Sequence, residues 1–203
     1  MARRVLLMAV VASIVSLLAF SALAEDVCEV ASRVMPESCV TQADLFVTLN
    51  QVFGNCGGTT VEEIVANFIS KGYLPADFTL EANACVTKGF VSQILYHALG
   101  LRPGLIERVR IAVSGLTPGI ALKIAQDNAL MVLGDADENL TGAEFVACIF
   151  ALVRYELHTT PLPCTTYRAL KSQLDQWLVC IQQVMPLSEA ATYIPGLIHV
   201  PTS

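Results

Sequence analysis

The stretch that decides the fold is TTVEEIVANFISKGYLPADFTLEANACVTKGFVSQILYHALGL, residues 59–101. Thr60 is followed by an apolar stripe with helical spacing and then by Gly72, which suits the left-handed end of a helix. Thr87 opens a second stripe that runs to Gly100. Threonine is a good N-cap because its hydroxyl accepts a hydrogen bond from the first helical turn. We therefore expect two capped helices joined by an irregular crossing.

The start of the second helix has two counterparts in the chain. VTQADLFVTLNQV begins at Val40, VTKGFVSQILYHA at Val86 and LTGAEFVACIFAL at Leu140. Counted from each Thr, offsets of four, eight and eleven are apolar in all three, and they fall on one helical face. These residues are Leu45, Val91 and Phe145; Leu49, Leu95 and Ile149; and Val52, Ala98 and Leu152. Any capped amphipathic helix would share part of this pattern, but the common cap register favours degenerate copies of one unit.

Helical patterns also fill the rest of the chain. Helices are predicted after Pro103, from Pro118 to about Val132 and from Thr165 to Val184, with a mixed tail after Pro186. No convincing β-hairpin signal is present. The predicted fold class is all-α: a compact bundle of repeated helix-loop-helix units about a pseudo-three-fold axis, with little or no β structure. Residues 25–158 would form the repeat domain, and residues 159–203 a helix and tail packed on it.

Residues 1–24 are typical of a signal peptide. Arg3 and Arg4 precede an apolar run from Val5 to Phe20, and Ala22-Leu-Ala24 fits the small-x-small cleavage rule. The run is short for a bilayer span, which needs about 20 apolar residues. We expect cleavage after Ala24, no membrane span afterwards, and an exported chain in the periplasm or outside the cell.

The charge balance is acidic. The formal net charge is −6, and loss of Arg3 and Arg4 with the signal peptide gives −6 − 2 = −8. An acidic exported chain has no electrostatic reason to bind nucleic acid. The charged residues between positions 102 and 110 are expected to form a solvated face; they are Arg102, Glu107, Arg108 and Arg110.

The seven cysteines lack zinc-finger spacing, and export permits disulfides. An odd number leaves at least one thiol without an internal partner. Cys148 lies on an apolar helical face and is predicted to be a buried small hydrophobe. Local pairs are plausible between Cys28 and Cys39 and between Cys164 and Cys180, although connectivity does not follow from sequence.

The order of these elements resembles S-layer homology repeats, in which an amphipathic helix, a Gly-Ile-Ile-like end and an aromatic loop precede a Thr-Arg-Ala-Glu-Phe-like helix start. The matching pieces are Val65–Ile69, Gly72-Tyr73-Leu74, Phe78 and Val86-Thr87-Lys88-Gly89-Phe90 in one unit; Leu130–Leu133 and Leu140-Thr141-Gly142-Ala143-Glu144-Phe145 in another; and Val40-Thr41-Gln42-Ala43-Asp44 in the first. The resemblance covers about Val40 to Arg154 as a diffuse pattern, and it implies a helical scaffold associated with the cell envelope.

The departures from the family bear on its ligand. The signature arginine helps to hold anionic cell-wall polysaccharide in the family, whereas this chain has Gln42, Lys88 and Gly142 at that position. The resemblance makes Lys88 the candidate polymer-binding residue. A lone lysine at a helix start is, however, usually just solvated. The family's first-helix tryptophan is also absent, since the chain's one tryptophan is Trp177.

One polar segment is a candidate calcium loop. Oxygen donors alternate through it and a glutamate closes it; they are Asp135, Asp137, Asn139 and Glu144. An EF-hand loop has about twelve residues and a glycine at the sixth, and this segment has neither feature. The same residues are explained as a polar turn followed by a capping box at Thr141. Asn139-Leu-Thr141 is also a glycosylation sequon.

Catalytic signatures are not found. The histidines His97, His158 and His199 are far apart in sequence, and neither a Gly-x-Ser-x-Gly elbow nor a His-Glu-x-x-His helix occurs. A dispersed hydrolase site is the least favoured hypothesis. We expect an exported non-enzymatic module of the cell envelope that contacts envelope polymer or another envelope protein. The alternative is a small exported calcium- or ligand-binding helical protein.

Overall fold

The computed structural model describes residues 27–54, 56–158, 167–195 and 197. These residues form nine α-helices and no named strand, which confirms the all-α prediction. The described residues also form two isolated β-bridges, one between Thr41 and Cys85 and one between Thr87 and Asn139. The helices are α1 Val27–Val34, α2 Gln42–Val52, α3 Val61–Ser70, α4 Lys88–Leu99, α5 Leu105–Ser114, α6 Pro118–Asp127, α7 Gly142–His158, α8 Tyr167–Val184 and α9 Leu187–Tyr193. The predicted signal peptide and cleavage site lie outside the described residues.

Threonine side chains begin several of these helices. Thr41, Thr87 and Thr117 each accept a hydrogen bond from the backbone amide three residues later. Thr60 and Thr141 form full capping boxes, because Glu63 and Glu144 return a carboxylate to the cap. The caps predicted from sequence are therefore confirmed, and each satisfies amides that the first helical turn leaves without a partner.

One helix end was predicted wrongly. Helix α6 ends at Asp127 rather than near Val132, because Ala129 takes a left-handed conformation with φ of 53°. The amide of Leu130 then bonds to the carbonyl of Ala125, and the chain leaves the helix with Leu130 buried. The segment after Pro186, predicted to be mixed, begins with a helix, α9.

The core lies between the faces that the aligned helix starts predicted. The offset-four and offset-eight residues of α2, α4 and α7 are at most 2% exposed. At offset eleven Val52 and Leu152 are buried, whereas Ala98 is only partly buried. Aromatic rings fill the space beside α2 and α3; Phe46 lies edge-on to Phe68 with ring centroids 5.9 Å apart.

The starts of α2, α4 and α7 are joined by a closed set of backbone hydrogen bonds. The amide of Val40 donates to the carbonyl of Leu140, that of Leu140 to Val86, and that of Val86 to Val40, each over 2.9 Å. We call this set the backbone ring. A second set follows one step outward, in which the amides of Gln42, Lys88 and Gly142 donate to the carbonyls of Ala84, Glu138 and Glu37. The start of α2 is thus hydrogen-bonded to the loop before α4, the start of α4 to the loop before α7, and the start of α7 to the loop before α2.

The disulfides differ from the predicted local pairs. Cys28 is bonded to Cys180, which joins α1 to α8, and Cys39 is bonded to Cys85 beside the backbone ring. The predicted pairs Cys28–Cys39 and Cys164–Cys180 are therefore wrong, because three-dimensional packing brings together cysteines that are distant in sequence. Cys56 is also disulfide-bonded, and Cys148 is free and buried as predicted. Such bonds are typical of chains that fold in an oxidising compartment.

The C-terminal helices pack on this core. Helix α8 contacts α1 and α7 through a buried stripe of Leu174, Trp177 and Ile181, and α9 contacts α7. The linker predicted at residues 159–163 lies outside the described residues. Among the described helices, none combines the length and apolar composition needed to cross a bilayer.

Candidate functional site

Lys88 is the centre of a charged cluster at the start of α4. Its ammonium lies 2.7 Å from a carboxylate oxygen of Glu138 and 2.9 Å from one of Glu144, and it donates to the carbonyl of Leu133 over 3.1 Å. Its side chain is only 5% exposed. The expectation that Lys88 would be solvated is therefore wrong. The second set of backbone hydrogen bonds draws the loop before α7 over the lysine.

The electrostatics of this cluster follow from burial and pairing. Burial acts to lower the pKa of Lys88, but its hydrogen bonds to Glu138 and Glu144 outweigh burial and raise that pKa. The hydrogen bond from Lys88 lowers the pKa of Glu138. Pairing thus favours the charged forms of both Lys88 and Glu138.

Glu144 connects two helix starts. One carboxylate oxygen contacts Lys88 of α4, and the other accepts from the amide and hydroxyl of Thr141 over 2.9 Å each. Asp44 has the same place in α2, where it accepts from Thr41 over 2.7 Å and pairs with Arg33 of α1 over 2.9 Å. In both cases the capping acid also binds a cation from a neighbouring segment.

The candidate calcium loop is divided by this arrangement. Asp135, Asp137 and Asn139 are exposed on the turn before α7, whereas Glu144 is turned inward to Lys88. Within the described ranges, no group of three or more His, Cys, Asp or Glu side chains lies close enough together to hold a metal ion. Calcium needs about six to eight oxygen ligands, and the structure does not bring these side chains together for it.

The polymer-binding role of Lys88 stays a prediction. Its ammonium already has two carboxylates and a carbonyl as acceptors, so an anionic polymer would have to displace Glu138 or Glu144. Sequence reasoning missed this pairing because Lys88 and Glu144 belong to different helix starts. The available signal was the alignment itself, in which a cation follows one Thr and an acid follows another.

A pocket of about 310 Å³ opens beside the cluster's helix, between the turn after α3 and one face of α4. Its walls combine apolar surface with three polar side chains, those of Tyr73, Gln93 and His97. Burial, and then the negative charge of Glu156, raise the pKa of Tyr73. The side-chain amide of Gln93 donates to the carbonyl of Leu116 over 3.4 Å, which holds this side chain in place. An apolar wall with a few polar groups is typical of sites for small ligands.

Of the three histidines, the structure describes the side chain of one. His97 lies exposed on α4, the side chain of His158 is outside the described residues, and His199 is outside them entirely. Burial raises the pKa of the Cys148 thiol to about 12, so this cysteine is protonated and unreactive at neutral pH. Its sulfur lies 3.5 Å from that of Met131 in the core.

One buried acid was missed by sequence reasoning. Glu156 of α7 is 1% exposed, and neither carboxylate oxygen has a hydrogen-bond partner among the described residues. Burial raises its pKa to about 8. After burial, its negative charge is the second cause that raises the pKa of both Tyr73 and Tyr155. The signal was a lone acid in the apolar run ALVRYEL of residues 151–157.

Comparison with protein-family models, curated proteins and solved structures finds no match for this chain.

Proposed function

We propose that this chain is an exported, non-enzymatic module of the cell envelope, built from three units that resemble S-layer homology repeats. The observation that supports the proposal most directly is the backbone ring. It joins Val40, Val86 and Leu140, the residues that precede the three aligned threonines.

The support extends beyond that ring. Equivalent amides of the three starts donate to equivalent preceding loops, at distances of 2.9, 2.9 and 3.0 Å. Three unrelated capped helices would not be expected to donate backbone hydrogen bonds to one another in a closed cycle. A pseudo-three-fold arrangement of degenerate units accounts for the register, and the repeat then serves as a rigid scaffold for contacts with envelope polymer or another envelope protein.

We place the contact surface at the pocket lined by Tyr73, Gln93 and His97 rather than at Lys88. Lys88 is neutralised by two carboxylates, whereas His97 is exposed and Tyr73 is half-buried in the pocket wall. A sugar polymer offers apolar ring faces and hydroxyl groups, and an aromatic wall with amide and imidazole groups is complementary to both.

The test is retention of the purified protein on isolated cell-wall polymer. We expect enrichment over an unrelated exported protein of similar acidity. The double variant Gln93→Ala/His97→Ala should weaken retention by roughly tenfold, since two polar contacts are lost. The matched control is Gln176→Ala, an exposed glutamine on α8. Retention no greater than that of the unrelated protein would exclude the polymer as the partner. Equal retention of the double variant and the parent chain would exclude the pocket as the contact surface.

The calcium-binding alternative has a separate test. Thermal melting is measured with and without millimolar calcium, because a ligand that binds only the folded state raises the melting temperature. An unchanged melting temperature would exclude a calcium site in this range. A rise that is abolished by Asp135→Asn/Asp137→Asn would favour the alternative over the scaffold proposal.

A further inference from the structure

Helix α5 exposes its apolar side chains instead of burying them. Leu105, Ile106, Val109 and Val113 are 79%, 64%, 60% and 84% exposed, and no residue of the helix is buried. They are four of the six large apolar side chains that the described residues leave exposed. Most large apolar side chains elsewhere in the described fold line the core, so α5 differs from the other helices in exposing its own.

The exposed residues lie together on one side of the helix. At about 100° per residue, Leu105, Val109, Val113 and Ile106 occupy an arc of about 100°. We call this arc the outer face of α5. Ile111, which packs against the core, lies on the opposite side. The outer face therefore points away from the protein body.

Two arginines border the outer face. Arg108 lies about 60° beyond one edge and Arg110 about 40° beyond the other, by the same helical geometry. Arg102 lies just before the helix. Within the described part of the chain, no carboxylate forms an ion pair with these three arginines, and Arg108 donates only to the carbonyl of Pro103 over 3.1 Å. By contrast Lys88, Lys123 and Arg33 are each paired with an acid.

We propose that α5 is a lipid-binding element, which lies flat on an anionic membrane surface with its outer face among the acyl chains and its arginines on the lipid phosphates. An apolar arc with cations at both edges is the arrangement of interfacial helices, because the long arginine stems reach from the apolar boundary to the headgroups. The chain as a whole has a net charge of −6, so an anionic surface would repel it except where unpaired arginines are concentrated.

A second copy of this chain fits the outer face less well. In a two-fold pair of α5 helices, the arginines that border one outer face would lie beside those of the other. Like charges at both edges of an apolar seam oppose association. Anionic headgroups supply the missing counter-charges along both edges at once.

The apolar part of the proposal is tested by vesicle co-sedimentation. The full chain is mixed with vesicles of phosphatidylcholine alone or of phosphatidylcholine and phosphatidylglycerol in equal parts. The variant Leu105→Ser/Val109→Ser removes two outer-face side chains. Its matched control, Leu133→Ser/Val179→Ser, removes a leucine and a valine that are 60% and 59% exposed elsewhere. Because the apolar segment 5–20 would itself bind vesicles, all proteins compared must have the same sequenced N-terminus.

The charged part is tested in the same assay. Arg108→Gln/Arg110→Gln is compared with Lys71→Gln/Lys123→Gln, which makes the same change in net charge at two exposed lysines. Each arginine near an anionic surface contributes about fivefold to binding, so the arginine variant should lose about 25-fold. Raising the salt concentration should weaken binding of the parent chain through screening.

The outcomes separate the possible occupants. The proposal expects binding to anionic vesicles that is lost in both α5 variants and kept in both controls. Absence of binding by the parent chain, or binding equal in α5 variants and controls, overturns it. Sedimentation equilibrium without lipid gives the remaining outcome: a dimer that Leu105→Ser/Val109→Ser dissociates, with no vesicle binding, would assign the outer face to self-association instead.

Discussion

At the scale of single residues, Glu156 is an ionisable group buried in the core with no hydrogen-bond partner among the described residues. An unpaired carboxylate at 1% exposure is stable there only when it is protonated, and this is why its pKa rises to about 8. In the unfolded chain its pKa returns to the ordinary value of 4.5. Between these two values the folded state holds a proton that the unfolded state has released.

This difference predicts a pH-dependent stability. The folded state binds more protons, so the free energy of unfolding is highest below the ordinary glutamate pKa and falls as the pH rises through about 8. We expect Glu156→Gln to remove this dependence and to stabilise the protein at alkaline pH by a few kcal/mol, on the order of 1.4 kcal/mol for each pKa unit. Urea unfolding at several pH values would measure it. Parallel pH profiles for the two proteins would contradict this prediction.

Gly142 lies so close to the end of α1 that no larger residue fits at this position. A Cβ atom there would meet the carbonyl oxygen of Val34 at the end of α1. In the alignment on which the proposed resemblance to S-layer homology repeats rests, this position falls at the signature arginine. In this chain the close approach of α1 leaves no room for a side chain.

Gly142→Ala should therefore be destabilising by about 3 kcal/mol, because the backbone of α1 has to move. Gly119→Ala is the matched control, since Gly119 lies in the first turn of α6 with no atom near its added Cβ. That change should stabilise the protein by up to about 1 kcal/mol through helix propensity. Chemical denaturation measures both variants, and equal effects would show that α1 does not restrict Gly142.

At the scale of elements, the starts of α4 and α7 are held together by charge as well as by backbone hydrogen bonds. Lys88→Met keeps an unbranched side chain of similar length but leaves Glu144, whose side chain is 16% exposed, without its cation. We expect a loss of about 1–3 kcal/mol in the free energy of unfolding.

Lys123→Met is the control for this charge deletion. Lys123 pairs with Asp127 on the surface of α6, and both side chains are about half exposed. Solvent screening makes such pairs weak, so its removal should have little effect. If the two lysine variants melt at the same temperature, the buried cluster does not contribute to stability.

The same elements show what sequence reasoning could and could not predict. The caps at Thr41, Thr60, Thr87 and Thr141 and the buried helical faces were predictable, because both depend on spacing within about one to three helical turns. The pairing of Lys88 with Glu144 was not, since it depends on which loop crosses which helix start. The disulfide pairing was predicted wrongly for the same reason. Cys28 and Cys180 are distant in sequence and meet only through the packing of α1 and α8.

At the scale of the whole molecule, the Cys28–Cys180 bond joins the first described helix to the C-terminal helices across a sequence separation of 152 residues. Such a bond restricts most of the unfolded chain. We expect Cys28→Ser/Cys180→Ser to lower the free energy of unfolding by about 3–5 kcal/mol, as the loop-closure argument gives for a loop of this size.

Calorimetry or urea unfolding would measure this loss. Cys148→Ala is the control, because its thiol is free and buried and its replacement breaks no covalent link. We expect this change to cost about 1–2 kcal/mol. A disulfide variant no less stable than the control would contradict the prediction. It would show that α8 is held by its buried stripe of Leu174, Trp177 and Ile181 without the covalent link.

The backbone ring also sets an order of events during synthesis. Chains emerge from the ribosome N-terminus first, and the amide of Val40 obtains its partner only when Leu140 has been made, about a hundred residues later. Cys39 and Cys85 are both made well before that. The segments before α2 and α4 can therefore be cross-linked before Leu140 is made, but the backbone ring cannot close without it. The ring can therefore close only after residue 140 of 203 has been made, and in the exported protein that we propose this delay would keep the chain open for translocation.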